Sequence, residues 1–458
     1  MSKQPNVLMF IPHDLGDYLN CYDHSDIVSP NLDRMAEDGV KFTSYFAVAP
    51  ECTASRSSML MGTYTHQNGL EGLAGMGWEL HEPEKHLASR LRDNGYETCL
   101  FGLQHETSGP SEKLGYMNCF TESKKVGDVC DAVNNFLQQR KDQDTPWFIH
   151  AGFTDVHRPW PETTTFKPED VILPSYLPDL PEVRRDYTLF YQNIMEMDAA
   201  VGRVIDELDR LGLRDDTLIV FTTDHGSPFP RAKATFYDPG IRIPLIMSHP
   251  SLGSGKTISA LCSNLDYSPT IMDFCKKQVP SDIEGISMMP LLTGERESLR
   301  TEVFGAMYYD VSYDPMYYVR TEEFKYIRSF GVDKDEAAGA DPRVLAAFKA
   351  GQWIRFDDYD VMTSLTWKAM EHPCLLPPKE ELYDLKSDPL ELNNLAADLD
   401  YAEVLEEMRD LLGKMLHDTN SPLPEKHIQP PQAQVDASKR YGEMLNLDRE
   451  KARACSKY

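Results

Sequence analysis

No run of about 18 apolar residues occurs in this chain, which excludes a helical membrane span. The first apolar stretch, Asn6-Val7-Leu8-Met9-Phe10-Ile11, is too short for a signal peptide and has no small-residue cleavage site behind it. Cysteine is sparse and unpatterned. Nine thiols, an odd number without tight spacing, do not make a disulfide framework. Most are expected to be small buried hydrophobes in a reducing, cytoplasmic compartment. Basic residues are also short, at 46 Lys and Arg against 73 Asp and Glu, for a formal net charge of −27. Such a surface repels nucleic-acid phosphates and anionic membranes, so neither is an expected partner. An anionic substrate would need a local positive focus, built from a metal ion or a few placed Lys, Arg and His. Internal repeats and long low-complexity tracts are absent as well.

What is present is an ordinary globular composition, 41% hydrophobic and 26% charged, in 458 residues. That length exceeds the size at which one core stops growing, so two domains are expected: 1–295 and 296–458. The first half alternates short apolar runs with helical patterns, as in an α/β domain with a large, mostly parallel sheet flanked by helices. Strands are predicted at Asn6 to Ile11, Thr98 to Phe101, Trp147 to Ala151, Thr217 to Thr222 and Pro244 to Met247. Ser29-Pro30 opens a helix running to about Glu37, with Ser29 as N-cap. Leu189, Ile194, Met197, Val201, Ile205 and Leu208 share one face of a long helix over roughly Arg184 to Leu211. From about residue 295, Thr301 to Met307, Met316 to Arg320 and Phe324 to Phe330 read as strands of a smaller α+β domain with an antiparallel sheet. A helix follows at about Tyr401 to His417. The irregular stretch from Ala337 to Pro378 could form an insertion over a pocket, and the Pro- and charge-rich tail an arm on the body or on a partner.

Four sets of polar residues stand out, most of them at strand or helix ends. In open α/β sheets ligands bind beyond the carboxyl ends of the strands, so these segments should converge. His13-Asp14 follows the first strand, and Asp224-His225-Gly226 follows Leu218-Ile219-Val220-Phe221. A carboxylate and an imidazole from each of two strands suit a divalent cation, whose geometry needs ligands from several segments. Cys52-Thr53-Ala54-Ser55-Arg56 opens a helical pattern. A cysteine at a helix N-terminus meets aligned N–H groups that stabilise an anion, and an arginine one turn on can hold that anion. His66, His105 and His157 sit in short polar contexts after element ends, placed for proton transfer and oxyanion binding, and Lys233 could add a fixed positive charge.

Cys52-Thr53-Ala54-Ser55-Arg56, followed by Ser57-Ser58-Met59-Leu60-Met61-Gly62, resembles the signature of the type I sulfatases of the alkaline phosphatase superfamily. Further landmarks are Ser29-Pro30-Asn31-Leu32-Asp33, Pro239-Gly240-Ile241-Arg242-Ile243-Pro244 and Asp266-Tyr267-Ser268-Pro269-Thr270-Ile271. Glu381-Leu382-Tyr383-Asp384, with Asp388-Pro389 and Asn393-Asn394-Leu395, is another in the C-terminal part. Within the family, His66-Gln67-Asn68-Gly69-Leu70 and Phe221 through Pro230 resemble the heparan N-sulfatases most. The resemblance implies that a maturation enzyme oxidises Cys52 to formylglycine. It also implies that His13, Asp14, Cys52, Asp224 and His225 hold one divalent metal, calcium in the family. Arg56 would hold the formylglycine, His105 and His157 would contact the nucleophile and the ester, and Lys233 would bind sulfate, with His66 near the substrate. The implied substrate is a sulfated small molecule or oligosaccharide of the glycosaminoglycan type.

Three departures stand out. His13 replaces an aspartate and His225 an asparagine, a nitrogen-rich set that favours manganese, iron or zinc over calcium. Leu103 occupies the place of a sulfate-binding lysine. His225 is also similar to the residue in phosphonate monoester and phosphodiester hydrolases of the superfamily, which makes that activity an alternative. A binding protein that keeps the pocket but leaves Cys52 unoxidised is another. Oligomeric state stays open.

Overall fold

The computed structural model describes residues 4–140, 143–310, 313–330, 360–361, 364–370, 378–422, 428–437 and 440. Fourteen strands are named among the described residues, in three sheets. The large sheet holds eight: β1 Asn6–Ile11, β2 Val40–Phe42, β4 Glu97–Gly102, β5 Asn118–Phe120, β6 Trp147–Gly152, β7 Thr217–Thr222, β8 Leu245–Ser248 and β9 Lys256–Ile258. Their order is β5-β4-β6-β1-β7-β8-β2-β9. β1 lies at the centre, parallel to both β6 and β7. It is buried along its whole length, which is why six consecutive apolar or small polar residues can form it. One interior strand departs from the parallel pattern: β8 runs antiparallel to β7 and to β2. A two-stranded piece pairs β3, Tyr45–Phe46, with β10, Cys262–Ser263.

Helices cover both faces. The helix Pro181–Leu211 presents Val183, Phe190, Ile194, Met197, Val201 and Leu208, all buried, to one face of the sheet. Gly212, in a left-handed conformation, ends it. The helix Pro30–Glu37 has the expected bounds, but Ser29 does not cap its N–H groups. Its hydroxyl instead donates to Asp33 Oδ1 at 3.1 Å and accepts from Asn20 N–H, fastening the preceding loop.

The C-terminal sheet is antiparallel, in the order β11 Val303–Tyr309, β12 Tyr313–Arg320, β13 Phe324–Ser329, β14 Glu380–Asp384. The helix Ala402–Asp418 packs on β12 and β13. Phe304, Ala306, Tyr317, Val319 and Leu382 of this sheet belong to the same apolar cluster as Val7, Met9, Ala47, Val48 and Leu60. Gly305 permits that contact, since a Cβ there would lie 2.2 Å from the Val48 carbonyl oxygen. A buried ionic tie adds to it. Lys325 of β13 is fully buried and reaches Asp238, the Phe236 carbonyl at 3.0 Å and Glu391 Oε1 at 2.6 Å. The described part of the tail also lies on the body, where Trp78 Nε1 donates to Gln434 Oε1 at 3.0 Å. No helix among the described residues is long and apolar enough to cross a membrane.

Candidate active site

The carboxyl ends of β4, β6, β1 and β7 are neighbours in the sheet, so the residues that follow them share one edge. The ends of β4 and β6 come close because both are glycine. A Cβ on Gly102 would meet the Gly152 carbonyl oxygen at 2.2 Å, and one on Gly152 would meet that of Leu103 at 2.1 Å. His13 and Asp14 leave β1, and Asp224 and His225 leave β7. Asp224 Oδ1 accepts from the backbone N–H of Asp14 and of His225, both at 3.0 Å, which locks the two turns together. Ligand atoms of His13, Asp14, Cys52 and Asp224 all lie within 4.8 Å of one another, and all four residues are buried.

The donor set fits a cation. Asp14 Oδ1 is buried without a hydrogen-bond partner, as are both ring nitrogens of His13, although Nδ1 lies 3.2 Å from Asp224 Oδ2. His225 Nδ1 faces the Gly226 carbonyl at 3.0 Å, and a carbonyl can only accept, so this nitrogen carries the proton. Its Nε2 faces the cluster, 3.2 Å from Asp14 Oδ1 and 3.4 Å from Cys52 Sγ. Burial, with Arg56 adding to it, lowers the pKa of His13 to about 4, leaving a neutral imidazole at pH 7. Lone pairs turned inward on several sides suit a positive ion.

Cys52 begins the helix Cys52–Met61 and is buried. The expected stabilised anion is not what this position gives. Burial pushes the thiol well above its ordinary range, with Lys233 opposing and Asp14 and Asp224 reinforcing the shift. Desolvation outweighs the helix end, and the unmodified side chain is a neutral thiol. Arg56, one turn later, is fully buried. Its Nε donates to Asp224 Oδ2 at 3.0 Å and its Nη2 to the Pro12 carbonyl at 3.0 Å, while Nη1 has no partner. Arg56 therefore fastens β1 and Asp224 to the cysteine-bearing helix.

On the outer side of Asp14, Lys233 Nζ reaches Asp14 Oδ2 at 2.8 Å and Asp360 Oδ2 at 3.3 Å. His157 donates from Nδ1 to the Arg158 carbonyl at 2.5 Å, and its Nε2 lies 2.9 Å from Asp360 Oδ2. With acceptors at both nitrogens the ring carries its second proton. Burial opposes that charge, but Asp14 and Asp360 outweigh burial and Lys233, raising the pKa to about 9. His105 stands against His13 with ring centroids 4.6 Å apart, its Nδ1 buried and unpartnered. Burial, then His13 and Arg56, hold it well below its ordinary pKa. His66 is engaged elsewhere. Its ring meets the Thr419 carbonyl at 3.0 Å and the Tyr308 hydroxyl at 3.2 Å, and stacks on Tyr64.

Two residues here carry no sequence signal. Asp360 lies in the stretch expected to form an insertion, most of which is outside the described residues. Glu106 is buried beside His105 and accepts its backbone N–H at 3.1 Å. The described segment 364–370 is anchored through Thr366 to Asp186, which also takes a bidentate pair from Arg158 at 2.7 and 2.8 Å.

Acids, imidazoles and a helix-borne cysteine thus gather at one edge of a mostly parallel sheet, a donor set suited to metal-assisted hydrolysis. The sulfatase family profile matches residues 5–276, and that of the N-sulphoglucosamine sulphohydrolase C-terminal region matches 231–341. The chain belongs to the sulfatase family, hydrolases of sulfuric esters or sulfamates. It is 29% identical to human N-sulphoglucosamine sulphohydrolase, over 92% of this chain and 91% of that protein. Among solved structures it shares its fold with an enzyme seen in complex with its substrate D-glucosamine-2-N,6-O-disulfate. The TM-score is 0.69 at 21% identity, over 93% of this chain and 100% of that one. The phosphonate monoester hydrolase of Agrobacterium radiobacter has the same fold, with a TM-score of 0.68 at 22% identity, over 91% and 96%.

Proposed function

We propose that this chain releases sulfate from a sulfated glucosamine-type sugar, as an ester or a sulfamate, through a formylglycine made from Cys52. The observation that carries the reading is the gathering of His13, Asp14, Cys52 and Asp224 around one point, with Lys233 and His157 on its outer side. The similarity to human N-sulphoglucosamine sulphohydrolase, and to the fold of a glucosamine disulfate-binding enzyme, supports the sugar class.

A divalent cation would be held by His13, Asp14, Asp224 and His225 with an oxygen on residue 52, and would stabilise negative charge gathering at the nucleophile and sulfate. The formylglycine hydrate supplies a hydroxyl nucleophile whose geminal partner allows collapse back to aldehyde with release of sulfate, a route that serine lacks. The Lys233 ammonium would bind a sulfate oxygen. His157 Nε2 would protonate the departing oxygen or nitrogen. Arg56 keeps Asp224 and the end of β1 aligned on residue 52.

The direct test is sulfate release from a panel of singly sulfated glucosamine and uronate-containing disaccharides. Release from none of them, by a chain whose residue 52 is aldehyde by mass spectrometry, would overturn the reading. Because His225 resembles the residue of phosphonate monoester and phosphodiester hydrolases, aryl sulfate and aryl phosphodiester are to be turned over in parallel. A higher kcat/KM for the diester would favour that second activity. Chelation should lower sulfate release at least about 100-fold, with manganese restoring it better than calcium because two imidazoles replace oxygens.

The pH profile should report His157. As a general acid it acts while protonated, so turnover is expected to fall as pH rises through its pKa, about 9 with the carboxylates of Asp14 and Asp360 unscreened. A cation that takes up the charge of Asp14 lowers that limb. Asp360→Asn removes a group that raises the pKa, and should shift the alkaline limb of kcat to lower pH. An unmoved limb would take the proton donation away from His157.

A further inference from the structure

We infer that the chemical state of residue 52 selects the class of metal this pocket takes. While Cys52 keeps its thiol, Cys52 Sγ, His13 and His105 form a soft nitrogen–sulfur centre for zinc or a similar transition-metal ion. The ligand atoms of these three residues lie within 4.8 Å of one another. His13 is buried with neither ring nitrogen hydrogen-bonded, and His105 Nδ1 is buried and unpartnered. A fourth donor is at hand, since His225 Nε2 stands 3.4 Å from the sulfur. In a tetrahedral zinc site, bonds of about 2.3 Å to sulfur and 2.0 Å to nitrogen put those two atoms about 3.5 Å apart. His225 and Cys52 already have that separation.

This set overlaps the carboxylate set, since both use His13 and Cys52, but His105 belongs to the soft set and Asp14 and Asp224 to the hard one. A thiolate with two or three imidazoles ranks zinc and its neighbours far above calcium. A diol oxygen at the same position, with two carboxylates, tilts the balance toward harder ions. Binding by the thiol form is balanced simply: the metal–sulfur bond forms as the sulfur–hydrogen bond breaks, and the proton goes to solvent. The buried neutral thiol is thus converted to thiolate by the ion itself.

The contrast with the oxidised form rests on the formylglycine reading, whereas the thiol centre does not, so the two fail separately. The full chain is made in a host without the maturation enzyme, its thiol verified by mass spectrometry, stripped with chelator and titrated with Co2+. One equivalent is expected, with a near-ultraviolet thiolate-to-cobalt charge-transfer band that Zn2+ abolishes on displacement. Cys52→Ser should lose the band, and His105→Ala should weaken Zn2+ binding at least about tenfold. The formylglycine chain should bind metal without the band. Cobalt bound with no such band, no cobalt bound at all, or zinc held as tightly by Cys52→Ser would overturn the proposal. Sulfate release by the converted chain is read independently of all three.

Discussion

Replacing Cys52 with Ala is expected to abolish sulfate release, by about 10^5-fold or more, while the unfolding midpoint moves by only a few degrees. Only the atoms of one small side chain are lost. Around them, Arg56 still joins Asp224 to β1, and Asp224 still accepts from the Asp14 and His225 N–H groups. The frame is therefore expected to survive without the proposed nucleophile. Serine at this position should not rescue turnover: it could be sulfated once, and it lacks the second hydroxyl that frees the product. A burst of about one product per chain followed by arrest is the expected trace for Cys52→Ser. Steady turnover by either variant would remove residue 52 from the chemistry.

The largest stability effect is expected far from that centre. Lys325→Met should cost about 3–5 kcal/mol, because it leaves Asp238 and Glu391 buried with much of their countercharge gone. For a chain of this length, unfolding entropy near the midpoint is about 1 kcal/mol per kelvin, so the midpoint should fall by about 3–5 °C. Arg320, 3.4 Å from Asp238, limits the damage. The loss should depend on pH. Burial raises the pKa of Glu391 to about 7, against the opposing pull of Lys325. A carboxyl whose folded pKa is raised contributes stability that is present at low pH and lost as pH climbs through the folded value. Removing Lys325 raises that value further, so the penalty should widen between pH 6 and pH 8. Equal penalties at both would show that Glu391 does not titrate in the folded chain.

Much of this architecture was legible because the central strands are simple. β1 and β7 have their predicted bounds, being short apolar runs ended by turn residues, and the helix Pro181–Leu211 begins only three residues before its predicted start. β14 was not read as a strand, since Glu-Glu-Leu-Tyr-Asp has little strand propensity of its own and is held by pairing with β13. The antiparallel direction of β8 leaves no mark on Leu-Ile-Met-Ser. In the site, the dipeptides at strand ends could be found because the sheet rule says where strand ends meet. Asp360 could not, because a lone acid in an irregular stretch acquires meaning only from Lys233 and His157 beside it. The charge state of Cys52 went the other way from its helix position, because sequence shows the helix start but not the depth of burial.

Asp360 also bears on how the reaction ends. Its carboxylate stands 3.3 Å from the ammonium of Lys233, so on the role proposed for Lys233 an arriving anion would compete with a tethered one for the same charge. That rivalry would weaken initial capture and give the departing inorganic ion an internal replacement. Weaker product inhibition is the expected consequence, and Asp360→Asn should hold the end product longer.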